Sequence, residues 1–219
     1  MGKSIIIANL KSNLTFEEGK AWIEVFLKHK EEIDNLGEKE IIICPPFTLL
    51  LSFSSAFLGT SIQIGAQNIS PFDEGAYTGE INGKQIKDFA KYVLIGHSER
   101  RNNFSENDDM LTKKIELALK YFLTPIFLVQ GIDTFIPTGV KAVAYEPTFA
   151  IGSGNPDTPE NADSVAAGIN KDSQYKILYG GSVTPENVNS FTSKQNLNGV
   201  LVGGASLDPE EFIKIIKNA

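Results

Sequence analysis

The sequence predicts an eight-stranded parallel barrel of the (β/α)8 type, and three observations support that fold class. Short apolar or β-branched runs recur eight times along the 219 residues, and most are apolar on both faces, as in parallel strands covered on both sides. Amphipathic helical patterns lie between these runs. Polar residues follow six of the eight runs, and a closed barrel brings all of its carboxyl strand ends to one mouth.

The predicted strands alternate with helices, as in a chain of βαβ units. They are residues 4–8, 40–44, 61–65, 92–95, 125–129, 140–145, 176–179 and 199–202. The competing architecture is an open doubly wound sheet, but such a sheet places its ligand at one switch point and uses few strand ends. No linker divides the sequence, so we expect residues 1–219 to form a single barrel catalytic domain.

Helical patterns are clearest in the first and fourth helices. The apolar face of the first is formed by Trp22, Val25, Phe26 and Ile33, and that of the fourth by Leu111, Ile115, Ala118, Leu119 and Phe122. Thr158, Thr184 and Asp208 each precede a proline, a combination that opens a helix. Ser105 is the predicted cap of the fourth helix.

One connection is too short for a full crossover helix. Residues 130–139 separate two predicted strands, and they include Pro137 and two glycines. A parallel crossover usually needs a dozen or more residues. The sequence therefore predicts a barrel whose fifth outer helix is truncated to a turn.

The composition excludes several functional classes. The formal net charge is −7 and no Lys/Arg-rich run is present, so nucleic acid is a poor candidate partner. A single cysteine, Cys44, rules out an internal disulfide, and with two histidines a zinc site is not expected. The first apolar run is too short for a signal peptide or a membrane span. We therefore expect a cytoplasmic protein without a metal.

Two glycine-bearing turns follow the last two predicted strands and indicate a phosphate site. Residues 180–182 read Gly-Gly-Ser, and Gly203 and Gly204 follow the next strand. In barrels these two loops often bind phosphate through backbone N–H groups, and glycine permits close approach. Either loop alone could be an ordinary tight turn, but two in consecutive units favour a phosphorylated ligand. Because the protein is acidic overall, Lys11 is the candidate cation that attracts this ligand locally.

The other strand ends carry the side chains of a proton-transfer site. Glu146 is the candidate general base, and His97 is the candidate proton shuttle or electrophile. Asn9 and Lys11 lie two residues apart, and Lys11 offers a positive charge to a developing oxyanion. Glu99 is a candidate to orient Lys11. The sequence contains no dinucleotide or P-loop motif, and this set suits proton abstraction next to a carbonyl through an enediolate.

These motifs together resemble the triosephosphate isomerase family along nearly the whole chain. The matching stretches are residues 8–11, 44–46, 65–68, 75–80, 96–101, 144–154, 179–182 and 203–207. The most specific are GHSERR at 96–101 and AYEPTFAIGSG at 144–154. The resemblance implies a TIM barrel, a cofactor-free isomerase of glycolysis and gluconeogenesis, and interconversion of dihydroxyacetone phosphate and D-glyceraldehyde 3-phosphate.

The resemblance also implies a role for individual residues. Glu146 moves the proton between C1 and C2, while His97 acts as a neutral electrophile. The implied oxygen-stabilising residues are Lys11 and Asn9, the phosphate ligands Gly152, Ser182, Gly203 and Gly204, and the supporting residues Ser98 and Glu99. Residues 65–80 resemble the family's long third loop, which reaches into a second subunit, so a homodimer is implied.

Several positions depart from the family pattern. The family usually has Trp and Met where Leu10 and Ser12 flank the lysine, and Val-Trp where residues 148–149 read Thr-Phe at the start of the lid loop. It has Cys-Val-Gly-Glu where residues 128–131 read Leu-Val-Gln-Gly, and residues 155–157 form an unusual end of the lid. None of these changes removes a catalytic side chain, so lid kinetics, barrel stability and assembly are where this protein can differ.

Two alternative functions stay open at this point. One is a barrel isomerase for another small sugar phosphate, which the Asn/Lys, His and Glu set disfavours. The other is a non-catalytic barrel that binds a phosphate ligand. The intact Glu146 and His97 argue against this second alternative, whereas the truncated fifth helix slightly favours it.

Overall fold

Eight parallel strands close into a barrel in the computed structural model, which describes residues 4–150 and 154–219. The strands are β1 Ser4–Asn9, β2 Lys39–Cys44, β3 Gln63–Ala66, β4 Tyr92–Ile95, β5 Thr124–Val129, β6 Ala142–Tyr145, β7 Lys176–Tyr179 and β8 Gly199–Val202. They pair in chain order, and β1 also pairs with β8. This closure confirms the predicted barrel and excludes the open doubly wound sheet.

Helices surround the barrel on its outer side. Those in the described residues are α1 Phe16–Leu27, α2 Lys30–Asp34, α3 Leu50–Ala56, α4 Gly83–Ile86, α5 Ser98–Phe104, α6 Asp108–Lys120, α7 Pro159–Ile169, α8 Val188–Thr192 and α9 Pro209–Asn218. Short 3-10 turns follow β2 and β8, at Phe47–Leu49 and Gly204–Ser206. Among these helices, none combines the length and the apolar character that crossing a membrane requires.

Apolar side chains fill the barrel interior. They come from alternate strand positions: Ile5, Ile7, Ile42, Cys44, Tyr92, Leu94, Ile126, Leu128, Ala142, Ala144, Leu178 and Leu201. Strand β3 contributes Gly65, because a Cβ atom there would lie 2.6 Å from the Cys44 Sγ atom. Burial raises the pKa of the Cys44 thiol, so it packs as an uncharged group. The interior is a packed core, and a ligand must therefore bind at one end of the barrel.

An aromatic cluster packs α1, α3 and α9 against the barrel. The Trp22 ring stacks on Phe26 with centroids 4.9 Å apart, and it also packs against Phe53 and Phe212. The Trp22 indole N–H donates to the carbonyl of Ser206 at 3.0 Å, in the turn after β8. The cluster therefore supports one of the two predicted phosphate loops from behind.

The predicted apolar helix faces are only partly correct. Ile33 is buried, but it belongs to α2, because α1 ends at Leu27. Leu111, Ile115 and Ala118 are buried on α6 as expected. Leu119 and Phe122 are instead 42% and 90% exposed, since α6 ends at Lys120 and Phe122 adopts a left-handed φ of 60°.

Two of the four predicted helix caps are confirmed. Thr158 and Asp208 cap α7 and α9, and each side-chain oxygen accepts a backbone N–H. Thr184 is not a cap, because α8 begins four residues later, after a turn. Ser105 is not a cap either: Asn107 caps α6, and Ser105 ends α5 in the left-handed conformation.

The connection from β5 to β6 contains no helix, as the sequence predicts. The irregular chain at residues 130–141 covers the barrel at this point. Ile132 packs on α7, where a Cβ atom on Gly168 would lie 2.7 Å from its side chain, and Gly139 packs in the same way on Leu119 of α6. The Thr134 hydroxyl accepts the N–H groups of residues 130 and 131, both at 3.2 Å. An irregular segment thus takes the place of a fifth outer helix.

Candidate active site

The predicted site residues converge at the carboxyl ends of the barrel strands. A cavity of about 250 Å³ lies there, and its lining includes Lys11, Glu146, Gly180, Ser182, Gly203 and Gly204. Drug-sized ligands occupy pockets of roughly 300 Å³ or more, so this cavity suits a smaller molecule. A larger, open groove of about 510 Å³ lies at the opposite end of the barrel, and its lining within the described residues includes no carboxylate or imidazole.

Glu146 is a buried carboxylate at the tip of β6. Its backbone N–H donates to the carbonyl of Val129 at 2.8 Å, so the residue continues the barrel ladder before Pro147 ends it. The side chain is 2% exposed, and its Oε1 atom lies 3.1 Å from the Nε2 atom of His97. The Ser98 hydroxyl donates to Oε2 at 3.5 Å. The structure therefore brings the predicted base and the predicted electrophile into direct contact.

The hydrogen bonds of His97 determine which ring nitrogen carries the proton. His97 caps α5, and its Nδ1 atom accepts the backbone N–H of Glu99 at 3.2 Å. A ring nitrogen that accepts a hydrogen bond has no proton, so the proton of the neutral imidazole lies on Nε2. This buried N–H lies 3.1 Å from the Glu146 Oε1 atom without forming a hydrogen bond to it, and it has no other acceptor among the described residues. It is thus placed to donate to a ligand oxygen beside Glu146.

Lys11 is held in a strained backbone conformation with a φ of 51°. The buried Asn9 side chain accepts the Lys11 N–H at 3.1 Å, and the Gln67 amide donates to the Lys11 carbonyl at 2.9 Å. The same amide also donates to the carbonyl of Cys44 at 2.9 Å. Strained residues persist where their surroundings fix them, often at functional sites. Three strand ends therefore cooperate to aim one lysine into the cavity.

Glu99 lies within ion-pair distance of Lys11, the residue that it is predicted to orient. Its Oε1 atom lies 2.5 Å from the Nζ atom of Lys11, while its backbone N–H fixes the ring of His97. The two interactions come from one residue in the first turn of α5. Glu99 therefore links the cation and the imidazole of the site.

Replacing Glu99 with glutamine tests this link. We expect kcat/KM to fall about tenfold, because the backbone contact to His97 survives while Lys11 loses its charged partner. The matched control is Glu160→Gln, which removes the carboxylate of a surface ion pair with Lys194 at 2.6 Å. Steady-state kinetics of both variants provide the measurement. Equal values for Glu99→Gln and the control would contradict the orienting role.

Glycines bring the two predicted phosphate loops close to the catalytic side chains. A Cβ atom on Gly180 would lie 3.1 Å from the Glu146 Cγ atom, and one on Gly203 would lie 3.4 Å from the Lys11 Cε atom. Gly204 begins the 3-10 turn after β8 and is exposed to the cavity side. Backbone N–H groups in such loops attract anions. The loops are thus placed to bind the anionic end of a ligand whose other end reaches Glu146.

Ser182 lines the cavity, and its side chain also contacts the segment that follows Glu146. Its hydroxyl donates to the carbonyl of Ala150 at 2.6 Å, and its backbone φ is 51°. The backbone N–H of Ser182 is therefore the group that suits a phosphate oxygen. Gly152, the other predicted phosphate ligand of the lid, lies outside the described residues.

Comparison with known proteins agrees with this arrangement. The model of the family described as triosephosphate isomerase matches residues 4–134 and 129–219. The chain belongs to the triosephosphate isomerase family. This membership confirms the predicted resemblance and the predicted enzyme class, an isomerase.

Curated triosephosphate isomerases match the chain over all or nearly all of its length. The protein from Dictyoglomus thermophilum is 40% identical over 252 aligned positions, covering all of both chains. The protein from Aquifex aeolicus is 39% identical and covers 98% of each chain. The protein from Mesomycoplasma hyopneumoniae strain 7448 is 39% identical and covers 99% of this chain and all of the relative. The first alignment is longer than these 219 residues, so this chain lacks residues that the relative has.

The break in the family match coincides with the departure in the fold. The two matched segments meet at residues 129–134, where the chain leaves β5 and the outer helix is missing. Strand β6 and Glu146 follow in the second segment. The family match therefore divides at the connection that lacks an outer helix, and the strands and candidate site residues keep their order on both sides of it.

Sequence reasoning missed two parts of the site. The sequence predicts no role for Gln67, although its side-chain amide holds Lys11 and β2 together. Asp157 belongs to the predicted unusual end of the lid, and the structure shows that it is also buried and hydrogen-bonded to Tyr145. Burial and long-range contacts decide both roles, and neither leaves a local pattern in the sequence. In residues 4–150 and 154–219, no group of three His, Cys, Asp or Glu side chains is placed to hold a metal ion.

Proposed function

We propose that the barrel mouth of this isomerase interconverts dihydroxyacetone phosphate and D-glyceraldehyde 3-phosphate, with Glu146 as the base. The observation that carries the proposal is the contact of 3.1 Å between the Glu146 carboxylate and the N–H nitrogen of His97, next to two glycine loops. A triose phosphate has one carbonyl, one adjacent hydroxyl and one phosphate. The site offers one complementary group or loop for each of them.

Glu146 takes the proton from one carbon and returns it to the neighbouring carbon. A buried carboxylate is a stronger base toward carbon than a hydrated one, because no water shell has to be removed from it. Its position at a strand tip, followed by Pro147, fixes the direction of its oxygens. Moving one proton in this way converts ketose to aldose through an enediolate without any redox partner.

His97, Lys11 and Asn9 stabilise the oxygens of that enediolate in our proposal. The Nε2–H group of neutral His97 donates to the carbonyl oxygen, and the Lys11 ammonium supplies positive charge. The Asn9 oxygen is engaged by the Lys11 N–H, so its amide nitrogen is the atom that can donate to the substrate. Each donor is fixed before the substrate arrives, which lowers the cost of reorganisation.

The phosphate of the substrate binds the N–H groups of Ser182, Gly203 and Gly204, and we keep Gly152 as a proposed fourth ligand from the sequence. Support comes from the close approach of these loops to Lys11 and from the left-handed backbone at Ser182. Ser98 supports Glu146 through its hydroxyl, and Glu99 supports Lys11. Residues 1–219 then act as one catalytic domain.

An assay with purified protein tests the proposed function directly. Conversion of D-glyceraldehyde 3-phosphate is followed by coupling the product to NADH oxidation. We expect saturable turnover, and folded protein without turnover would overturn the proposal in favour of a phosphate-binding barrel. Parallel assays with four- and five-carbon sugar phosphates test the other alternative. The cavity of about 250 Å³ leads us to expect much lower kcat/KM for these longer substrates.

We also propose that the protein forms a homodimer through the loop around residues 65–80. Residues 74–80 are exposed without interruption, and Phe72 and Tyr77 stack in this loop while each remains 44% exposed. Asp73 fastens the loop to α6 through Lys120 and to Tyr121. A rigid, exposed loop with stacked aromatic rings is a suitable interface element.

We further propose a cytoplasmic location, which cell fractionation tests.

The dimer proposal predicts the effect of a charge at the tip of this loop. We expect Thr78→Arg to shift the protein from dimer to monomer, because a partner would have to bury the new guanidinium. The matched control is Ser193→Arg, since residue 193 is exposed at the end of α8, away from the loop. Analytical ultracentrifugation measures the mass of wild type and both variants. A wild-type monomer, or a dimeric Thr78→Arg variant, would contradict the proposed interface.

A further inference from the structure

Asp157 is a buried carboxylate that the proposed mechanism does not use. The residue is 8% exposed and stands directly before Thr158, the cap of α7. A buried carboxylate is costly unless hydrogen bonds satisfy it. Its position is the downstream end of the loop that begins immediately after Glu146. The hydrogen-bond partners of Asp157 therefore indicate the role of this buried carboxylate.

Four hydrogen bonds to other described residues hold Asp157. Its Oδ1 atom accepts the Thr158 N–H at 2.8 Å, and its Oδ2 atom accepts the Asn161 amide at 2.8 Å and the Tyr145 hydroxyl at 3.3 Å. Its own N–H donates to the Tyr179 hydroxyl at 2.8 Å. Two of these bonds face α7 and two face the barrel. Asp157 therefore connects the helix to the ends of β6 and β7.

Both tyrosines precede residues of the candidate active site. Tyr145 is followed by Glu146, and Tyr179 is followed by Gly180, whose N–H donates to the Tyr145 carbonyl at 2.8 Å. Burial, together with the charge of Asp157, raises the pKa of Tyr145 to about 12. Its hydroxyl therefore stays protonated at neutral pH and can donate to the carboxylate. The hydrogen bond between Asp157 and Tyr145 therefore acts on the residue directly before the proposed base, Glu146.

The upstream part of the loop that follows Glu146 contacts the turn at residues 179–182, which also contains Tyr179. Ala150 is fully buried, its carbonyl accepts the Ser182 hydroxyl at 2.6 Å, and a Cβ atom on Gly181 would lie 3.0 Å from the Ala150 Cβ atom. Such an atom would also lie 2.7 Å from the Tyr179 hydroxyl oxygen. The residues at 150 and 157 are thus both fixed to the turn at residues 179–182.

We propose that Asp157 is a positioning residue for the isomerase reaction, acting through Tyr145 and Tyr179 on Glu146 and the 179–182 turn. The carboxylate holds the end of β6 at a set distance from α7, so the base keeps its place relative to the phosphate loops. This inference rests on the proposed function and adds a residue to it. The competing role is purely structural: Asp157 would then only secure the N-terminus of α7.

Three variants separate these roles. Asp157→Ala removes the carboxylate, and Asp157→Asn keeps its shape in case the alanine variant folds poorly. Tyr145→Phe removes only the bond toward the barrel, whereas the matched control Asn161→Ala removes only the side-chain bond toward α7. The measurements are kcat, KM, the thermal midpoint, and inorganic phosphate released per isomerisation. Phosphate is released when the enediolate breaks its C–O bond to the phosphate group before it is reprotonated on carbon.

We expect Asp157→Ala and Asp157→Asn to lower kcat about tenfold with KM changed less than twofold, because small displacements of a base cost large factors in rate. Tyr145→Phe should reproduce this loss, and the Tyr145→Phe/Asp157→Asn double variant should lose no more than either single variant. Phosphate release per turnover should rise in all of them. Asn161→Ala should lower the thermal midpoint and leave kcat unchanged.

Two results would overturn the inference while the proposed function stands. In the first, both Asp157 variants keep the wild-type kcat and phosphate release and change only the thermal midpoint. In the second, Asn161→Ala lowers kcat as much as Asp157→Ala does, which would assign the effect to α7. A wild-type protein that does not isomerise triose phosphates would instead overturn the proposed function itself, so the two failures are distinguishable.

Discussion

Replacing Glu146 with glutamine is expected to lower kcat by about 10³-fold or more, with substrate binding largely retained. General-base catalysis contributes about 10²- to 10⁴-fold, and the upper part of that range suits a base that is 2% exposed and fixed at a strand tip. Glutamine has the same shape but cannot accept the proton. Because the base acts mainly in the transition state, kcat falls while KM changes little.

Glu146→Asp serves as the comparison, because it keeps the carboxylate and withdraws it by one methylene. We expect about a 10²-fold loss of kcat, smaller than that of the glutamine variant. Circular dichroism and titration with inorganic phosphate check that both variants are folded and bind anions. A Glu146→Gln variant with the wild-type kcat would remove Glu146 from the role of base.

Lys11→Met is expected to weaken substrate binding and turnover together. Removing one preorganised group of an oxyanion site costs about 10²- to 10³-fold in kcat. KM should also rise, because the lysine is beside Gly203 in the proposed phosphate loop and is held there by Glu99. Steady-state kinetics at low ionic strength measure both parameters, and added salt should narrow the difference in KM between variant and wild type.

Lys194→Met is the matched control for this change. Its side chain has the same exposure as that of Lys11, 27%, and it also forms an ion pair with a glutamate, at 2.6 Å. The pair lies on α7 and the chain after α8, away from the cavity. We expect kinetics like those of the wild type. If Lys11→Met behaved like this control, the lysine would have no part in the site.

Much of the fold could be predicted because its signals are local. Parallel strands covered on both faces appear as apolar runs, and Thr158 and Asp208 announce helices through a cap followed by proline. The errors occur where tertiary context decides. Thr184 carries the same local signal, yet a turn follows it, and Phe122 continues an apolar pattern after its helix has already ended.

The sequence predicts which residues form the candidate site, but it does not predict the hydrogen bonds and ion pairs between them. Each strand end displays its polar residue in the sequence, so Glu146, His97 and Lys11 could be placed at one mouth once the barrel was inferred. The bonds that fix them are long-range. Glu99 reaches back to the first strand, and Asp157 reaches Tyr145 across a loop. Such pairings depend on how neighbouring strand ends meet in space, which periodicity does not encode.

The missing helix between β5 and β6 also has a consequence for how the chain folds. Residues 130–141 form the shortest link between consecutive strands, compared with residues 10–38 between β1 and β2. By the logarithmic dependence on loop length, closing the shorter link costs about 0.8 kcal/mol less conformational entropy. Pairing β5 with β6 therefore costs the least loop-closure entropy of any pair of consecutive strands. We therefore expect this seam, directly below Glu146, to be favoured among the first strand pairs that form when the barrel folds.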